Sequence, residues 1–239
     1  MSDRPIGPEV DTAPRMLPAR APIQGQYCVL EPIHPRHAAE LFDAAAAGTE
    51  AGDASWTYLG YGPFPSRAAM TAHVQNFAVQ MDHVAWAIRP LSTGQVSGWL
   101  TLMDIQPRNA AIEIGNIWFG PRMQRTRAAT ESIFLALRHA MDDLGYRRMV
   151  WKCNALNAPS RRAAERLGFT YEGLLRAHMV VKGRRRDTAY YSILDHEWPR
   201  CRDALAAWLD ASNFAPDGSA LRSLAAIRGD RTSRGDASC

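Results

Sequence analysis

The chain has 239 residues, of which 46% are apolar and 22% charged, which is enough to build one ordinary domain with or without tails. Its net charge of +4 is smaller than that of most dedicated nucleic-acid binders. No apolar run approaches the roughly 18 residues of a membrane-spanning helix, and no signal pattern opens the chain, so we expect a soluble cytoplasmic protein.

Proline and charge divide the chain into three parts. Residues 1–26 contain five prolines and no aromatic residue. They cannot bury enough apolar surface to offset the entropy of ordering, so we expect a flexible arm. All seven tryptophans lie between Trp56 and Trp208, which places the folded domain at 27–210. Residues 211–239 are polar and predict a tail with at most one short helix, near 219–228.

The first half of the domain alternates between helical and extended patterns. A short strand is predicted at 27–31 and a helix at 34–47. An aromatic loop follows at 56–65, and Ser66 then caps a helix that runs to about residue 81. Three strands are predicted at 84–89, 95–105 and 111–119. The turns between them are short, so we expect an antiparallel meander.

The second half continues with a long helix over about 126–144, which ends at Gly145. A strand at 147–153, a helix at 157–167 and two long strands at 169–181 and 187–194 complete the domain. This order predicts an α/β fold of the mixed α+β type. Its sheet would be mixed but mostly antiparallel, with six to seven strands and helices on both faces.

Residues 112–130, IEIGNIWFGPRMQRTRAAT, form a strand that runs through a polar turn directly into the long helix. The free N–H groups and positive dipole end at the start of a helix bind phosphate. Arg122, Arg125 and Arg127 add cationic side chains, and the small residues Ala128 and Ala129 would let a ligand approach the backbone. A plain helix start with solvated arginines explains the same pattern equally well.

Residues 151–169, WKCNALNAPSRRAAERLGF, form a strand, a loop and a capped helix. Asn157 is a good N-cap, and Gly168 suits the position after the last helical residue. Taken alone, this stretch could be purely structural.

Together the two stretches resemble the GNAT (Gcn5-related N-acetyltransferase) family over most of 27–198. The family's pyrophosphate loop, Gln/Arg-x-x-Gly-x-Gly/Ala, corresponds to Gln124–Ala129, with Arg127 where the family has glycine. The later signature is an Asn followed by a helix that ends Glu-Arg/Lys-Leu-Gly-Phe. Asn157 and Glu165–Phe169 match it closely. Many members carry a tyrosine four residues before that glycine, where this chain has Ala164.

The serine three residues after Asn157, Ser160, is typical of the branch that resembles ribosomal-protein alanine N-acetyltransferases. Leu30-Glu31-Pro32, Glu113-Ile114-Gly115 and the closing strand 190–194 also resemble that branch. The resemblance implies a GNAT fold with its sheet splayed at the middle. It also implies an acyltransferase that uses acetyl-CoA as donor, with a small-molecule or peptide amine as acceptor.

The resemblance places coenzyme A between the strands at 112–118 and 149–153 and on the helix start. The cofactor-binding residues it implies are Ile117, Trp118, Phe119, Arg122, Gln124, Arg125, Thr126, Arg127, Ala128, Ala129, Thr130, Asn154, Asn157 and Arg161. A backbone N–H near 114–118 would polarise the thioester carbonyl. Asn157, in addition, would hydrogen-bond the pantetheine arm or the acyl group, so it belongs with the catalytic residues.

Two side chains are the candidates for moving protons. Glu113 is a carboxylate in an otherwise apolar strand, and burial would raise its pKa towards that of a useful general base. A solvent-facing strand residue is the alternative, and Asp104 is the reserve base. Ser160 is the candidate hydrogen-bond donor to the coenzyme A thiolate, or else an ordinary first-turn serine.

The cysteines suggest no special chemistry. Cys28, Cys153, Cys201 and Cys239 are too far apart for a zinc or disulfide framework, so we expect ordinary thiols and no metal site. Cys153 lacks an obvious histidine partner and is expected to be a buried thiol rather than a nucleophile.

The acceptor is the part that the sequence defines least. Aromatic residues at 56–61 suit an amine pocket or the core equally, and the pocket residues we assign are Trp56, Tyr58, Trp99 and Asp104. The run 182–186 is a basic hairpin tip, which is either a solvated turn or a contact for an acidic surface, the coenzyme A 3′-phosphate or ribosomal RNA. A coenzyme A-binding module without turnover and a ribosome-associated protein remain as alternatives, and a homodimer stays open.

Overall fold

The computed structural model describes residues 4–229. Its centre is one eight-stranded sheet in the order β1-β2-β3-β4-β5-β6-β8-β7. The strands are β1 Ile23–Gln24, β2 Cys28–Pro32, β3 His83–Pro90, β4 Gly98–Gln106, β5 Ala111–Phe119, β6 Arg148–Asn154, β7 Thr170–Val181 and β8 Arg184–Leu194. The helices are α1 Ala38–Ala44, α2 Glu50–Ala54, α3 Arg67–Val79, α4 Arg127–Arg138, α5 Ala158–Leu167, α6 Trp198–Leu209 and α7 Leu224–Arg228.

The mixed, mostly antiparallel sheet is confirmed, although it has eight strands rather than six to seven. The additional strand, β1, has only two residues and pairs antiparallel with β2. Two residues are too few to show any periodicity. Among the strand pairs of residues 4–229, only β5 with β6 is parallel. Within the described residues, no helix is long and apolar enough to cross a membrane.

The sheet buries an apolar layer on each face. One layer lies under α4, α5 and α6 and contains Ile112 and Ile114 of β5. The other lies under α1 and α3 and contains Trp99 and Trp118. Because side chains alternate along a strand, Glu113, which lies between Ile112 and Ile114, faces the side of this second layer.

Local sequence signals account for the helix ends near the site. Thr126 accepts the N–H of Ala129 and caps α4, and Asn157 accepts the N–H of Ser160 and caps α5. Gly168 ends α5 at φ 105°, a backbone conformation that favours glycine. The last turn of the long helix, His139–Asp143, widens into a π-helix. These boundaries agree with the predicted helices at 126–144 and 157–167.

Both predicted tails run along the domain where the structure describes them. The indole Nε1 of Trp86 donates to the carbonyl of Ala21, and the hydroxyl of Tyr146 donates to the carbonyl of Met16. Near the other end, α7 lies inside the predicted interval 219–228, and its Leu224 is buried in the first layer. The flexibility of residues 1–26 stays a prediction, and the tail beyond Gly229 lies outside the described residues.

Candidate active site

The centre of the site is the point where β5 and β6 part. The two strands pair only at Ala111↔Arg148, Ile112↔Met149 and Glu113↔Val150 within the part of the chain that the structure describes. Directly after that, β5 carries a bulge: two of its residues lie opposite one residue of β4, and Asn116 takes a left-handed φ of 50°. A bulge bends its strand. The bend therefore opens a gap between two strands whose backbone groups face each other.

Glu113 is the last paired residue before the gap, and it is 7% exposed. Its Oε2 lies 2.8 Å from Nζ of Lys152. Burial raises the pKa of Glu113 above its ordinary value, and the hydrogen bond and charge of Lys152 lower it in part. A side-chain Cβ at Gly115 would lie 2.8 Å from Oε1 of Glu113, so glycine leaves room for this carboxylate. The structure therefore places a carboxylate with a raised pKa at the fork.

Lys152 joins two carboxylates. Its Nζ lies 2.7 Å from Oδ2 of Asp104 as well as 2.8 Å from Glu113. Burial lowers the pKa of Lys152, but the two carboxylates more than compensate, so its pKa lies above the ordinary value. Asp104 sits in a bulge of β4 at φ 45°, and the pKa of this carboxyl is held low, mainly by Lys152. At neutral pH, Lys152 is therefore a fixed cation beside the candidate base.

The start of α4 lies beyond the carboxyl end of β5. Thr126 satisfies the N–H of Ala129, which leaves the N–H groups of the first two helical residues available for an anion. Arg122 and Arg125 are exposed beside it, and Arg125 takes a left-handed φ of 63°. Gln124 donates to the carbonyl of Phe119 and holds the turn closed.

The guanidinium of Arg127 packs on two aromatic rings. It lies 3.4 Å from the ring centroid of Phe214 and 4.7 Å from that of Tyr27. The backbone N–H of Arg127 lies at the helix start. Thr130, further along the helix, is buried and accepts a long hydrogen bond from Arg166 at 3.4 Å.

The α5 start brings Asn157 and Ser160 close to β6. Asn157 uses its Oδ1 for the helix cap, which leaves its amide N–H₂ for a ligand. Ser160 Oγ accepts the indole N–H of Trp151 at 3.1 Å, so its own hydroxyl hydrogen can be donated elsewhere. Burial raises the pKa of the Cys153 thiol, as expected for an inert thiol. Like Cys153, Cys28 and Cys201 are buried, whereas Cys239 lies outside the described residues.

The other two residues assigned to the cofactor near α5 are engaged in the protein. Asn154 accepts the N–H of Leu156 at the end of β6. Arg161 donates to the hydroxyl of Tyr191. Of the β5 residues, Ile117 and Phe119 are half-buried and Trp118 is buried, so they present mainly backbone to the gap.

The predicted acceptor residues separate into two groups. Trp56 and Trp99 are 1% and 0% exposed and pack with Trp118 in the second apolar layer. Tyr58 is at the surface, where its hydroxyl donates to the carbonyl of Leu156. That bond ties the aromatic loop to the loop that precedes α5. Asp104 lies at the fork through Lys152.

Sequence reasoning missed Lys152. It is one of two lysines in the chain and stands in an apolar strand, and this isolation is the signal that could have identified it. Lys182 lies in the β7–β8 hairpin turn, as predicted, and its Nζ in addition donates to the carbonyl of Trp56. The β7–β8 hairpin therefore closes over the same loop that Tyr58 holds on the other side.

A protein-family model described as an acetyltransferase (GNAT) domain matches residues 28–170, which is more than half of the 239 residues. The chain belongs to this family. The GNAT fold, the acetyltransferase class and acetyl-CoA as donor are thereby confirmed at the level of the family. In the described residues, no cluster of His, Cys, Asp and Glu has the composition of a metal site.

Individual relatives agree with this assignment. A GCN5-related N-acetyltransferase from Brucella melitensis is 42% identical, with a TM-score of 0.88 over 91% of this chain and 98% of that one. YdaF of Bacillus subtilis strain 168, provisionally named a ribosomal N-acetyltransferase, is 30% identical over 108 residues. That match spans 45% of this chain and 58% of YdaF, which is less than two thirds of its length. The microcin C7 self-immunity acetyltransferase MccE, solved with acetyl-CoA and AMP, shares the fold at 20% identity and a TM-score of 0.62, over 71% of this chain and 93% of MccE.

Proposed function

We propose that this GNAT protein transfers an acetyl group from acetyl-CoA directly to a primary amine in the cytoplasm. The acceptor is a small molecule, an amino acid or a protein N-terminus. The observation that carries the proposal is Glu113, a buried carboxylate with a raised pKa at the fork between β5 and β6. A base at this point lies beside the gap in which the acyl group of the donor would sit.

The donor binds across the fork. Its pyrophosphate lies on the free N–H groups at the start of α4, with Arg122 and Arg125 beside the phosphate oxygens. Its pantetheine arm enters the gap and pairs with the exposed strand edges as an added strand would. Asn157 donates its amide N–H₂ to the arm. Arg127 contributes only its backbone, because its guanidinium is stacked on Phe214.

The reaction forms one bond and breaks another. The amine nitrogen attacks the thioester carbonyl carbon, the C–N bond forms, the C–S bond breaks, and the electron pair leaves on the thiolate sulfur. Glu113 takes the proton that the ammonium must lose. A backbone N–H of β5 beyond the fork stabilises the oxyanion. Ser160 donates its hydroxyl hydrogen to the departing thiolate.

Calorimetry with acetyl-CoA, followed by thiol release over a panel of amines, tests the proposal. We expect binding in the micromolar range and turnover with at least one acceptor. Glu113→Gln should keep donor binding and lower kcat about 100-fold or more, because a general base contributes on that scale. If acetyl-CoA does not bind at high micromolar concentration, the proposal fails.

A coenzyme A-binding module without turnover is the second candidate. Two features favour it: Arg127 stands at the family's glycine position, and Ala164, which is fully buried, replaces the family's tyrosine. Binding of acetyl-CoA without thiol release in the presence of any amine would establish it.

We propose in addition that the protein forms a homodimer through β7. In the described residues this strand pairs on one side only, with β8, and it exposes Leu174, Leu175, Met179 and Val180. A second copy would cover this apolar edge by pairing antiparallel with it. Light scattering should give twice the monomer mass, and Val180→Lys should lower it towards the monomer.

A further inference from the structure

Arg186 is the residue of the basic hairpin run that turns inward. It lies on β8, two residues before Thr188 and four before Tyr190, so all three side chains share one face of the strand. Tyr190 pairs in register with Lys152 of β6, and Nζ of Lys152 lies 5.2 Å from its ring centroid. Arg186 therefore faces the side of the sheet that carries Lys152 and Glu113.

Arg186 is half-buried. Within the described part of the chain it forms no hydrogen bond or ion pair, and its Nε is buried without a partner. Its neighbour Arg185 is exposed and lies 3.5 Å from Asp187. Burying a charged donor without a partner is unfavourable, so such a group is retained where a ligand supplies the partner.

Arg186 also lies within electrostatic reach of the reaction centre. Its charge lowers the pKa of Glu113 and that of the Cys153 thiol. Helix α4, on which the pyrophosphate is proposed to bind, packs on the opposite face of the sheet from Arg186. The free guanidinium is therefore closer to the acyl-transfer end of the site than to the phosphate end.

A guanidinium is a planar fork of N–H donors that matches the two oxygens of a carboxylate or phosphate. We propose that Arg186 binds an anionic group of the acceptor and that the acceptor is a primary amine which also carries a carboxylate or phosphate. The inference rests on the proposed acetyl transfer and narrows its substrate class. The amine is directed to Glu113 and the anionic group to Arg186, which keeps its charge throughout the reaction.

Matched acceptors test this assignment. Initial rates are measured with acetyl-CoA and four pairs: glycine and glycinamide, β-alanine and its amide, 4-aminobutyrate and its amide, and ethanolamine phosphate and ethanolamine. We expect the wild-type protein to favour the anionic member of at least one pair. The pair with the largest ratio shows whether the group is a carboxylate or a phosphate, and how far it lies from the amine.

Arg186→Gln should reduce kcat/KM for the favoured anionic acceptor about tenfold or more and change that of its neutral partner little, because only the anionic acceptor loses a charged contact. Arg186→Lys keeps the charge and loses the planar fork of donors. Its kcat/KM for the favoured anionic acceptor should lie between those of the wild type and Arg186→Gln. Arg185→Gln is the matched control and should behave as wild type. Since Arg186 has no protein partner, its variants should keep the wild-type Tm.

The outcomes are distinguishable. Equal losses for charged and neutral acceptors, a raised KM for acetyl-CoA or a lowered Tm would each overturn the role of Arg186. Transfer to amines without any preference for anionic ones would refute the inference and leave the proposed acetyl transfer standing. Binding of acetyl-CoA without transfer to any amine would refute both.

Discussion

Removing the carboxylate of Glu131 should destabilise the protein strongly. This residue lies in the second turn of α4, is 5% exposed, and accepts the backbone N–H groups of Gln26, Tyr27 and Cys28 at 2.7, 2.6 and 2.8 Å. A Cβ at Gly25 would lie 2.5 Å from Oε2 of Glu131, so the backbone approaches the carboxylate closely. One side chain thus joins the β1–β2 turn to the helix that we propose binds the pyrophosphate.

The size of the effect follows from what Glu131→Ala leaves behind. An unsatisfied buried donor costs about 1–3 kcal/mol. Of the three donors only the N–H of Cys28 is in a fully buried bond, and water can reach the other two in part. We therefore expect a loss of about 3–5 kcal/mol in the free energy of unfolding. For a domain of this size the Tm should fall by about 6–20 °C.

Urea unfolding followed by circular dichroism measures this loss, with thermal scans as a second readout. Glu131→Gln keeps one acceptor oxygen and should lose about half as much. The control is Glu50→Ala, an exposed helical glutamate, which should stay within about 0.5 kcal/mol of wild type. If Glu131→Ala loses less than about 1 kcal/mol, the three hydrogen bonds do not hold the turn, and the reasoning is wrong.

Three further predictions concern the reaction. Lys152 lowers the pKa of Glu113, and Glu113 acts as a base only when ionised. Lys152→Gln should therefore move the acidic limb of the kcat/KM–pH profile to higher pH; an unmoved limb would argue against Glu113 as the base. Asn157→Ser keeps an N-cap oxygen and loses the amide donor, so it should lower turnover at nearly wild-type Tm. Asn157→Ala should lower turnover and also lose about 1 kcal/mol of stability. If both variants have wild-type kinetics, Asn157 is purely structural. Arg125→Ala should raise the KM for acetyl-CoA several-fold. Arg127→Ala should raise this KM less, because the Arg127 guanidinium is stacked on an aromatic ring. A larger rise in KM for Arg127→Ala than for Arg125→Ala in steady-state kinetics would contradict the proposed phosphate site.

The pH dependence of stability has a predictable sign at one position. The pKa of Glu113 is raised in the folded protein by burial. A carboxyl with a raised folded pKa binds its proton more tightly when folded, so it favours folding at low pH, and this contribution is lost as the pH rises through the folded pKa. Lys152, 2.8 Å away, opposes this upward shift of the pKa.

The sequence by itself determined the elements that depend on contacts a few residues apart. The caps at Ser66 and Asn157 and the glycine stop at Gly168 each involve a hydrogen bond or a backbone angle within one turn. Such signals are readable because the interacting residues are neighbours in the chain. The meander and the family signature could be read for the same reason. They placed Glu113 on a strand that borders the fork between β5 and β6.

Only the tertiary structure decided which long side chains meet. Lys152 reaches Asp104 across 48 positions of the sequence, and Arg127 stacks on Phe214 of the tail rather than extending towards the phosphate. Arg186 is half-buried on the sheet face that carries Lys152 and Glu113, although its neighbours in the basic run are exposed. No local pattern predicts these positions, because a flexible cation takes the direction set by the charges and rings that the fold brings to it. The periodicity of the chain therefore determined the strands and helices. The packing of distant segments decided which charged side chains lie near Glu113.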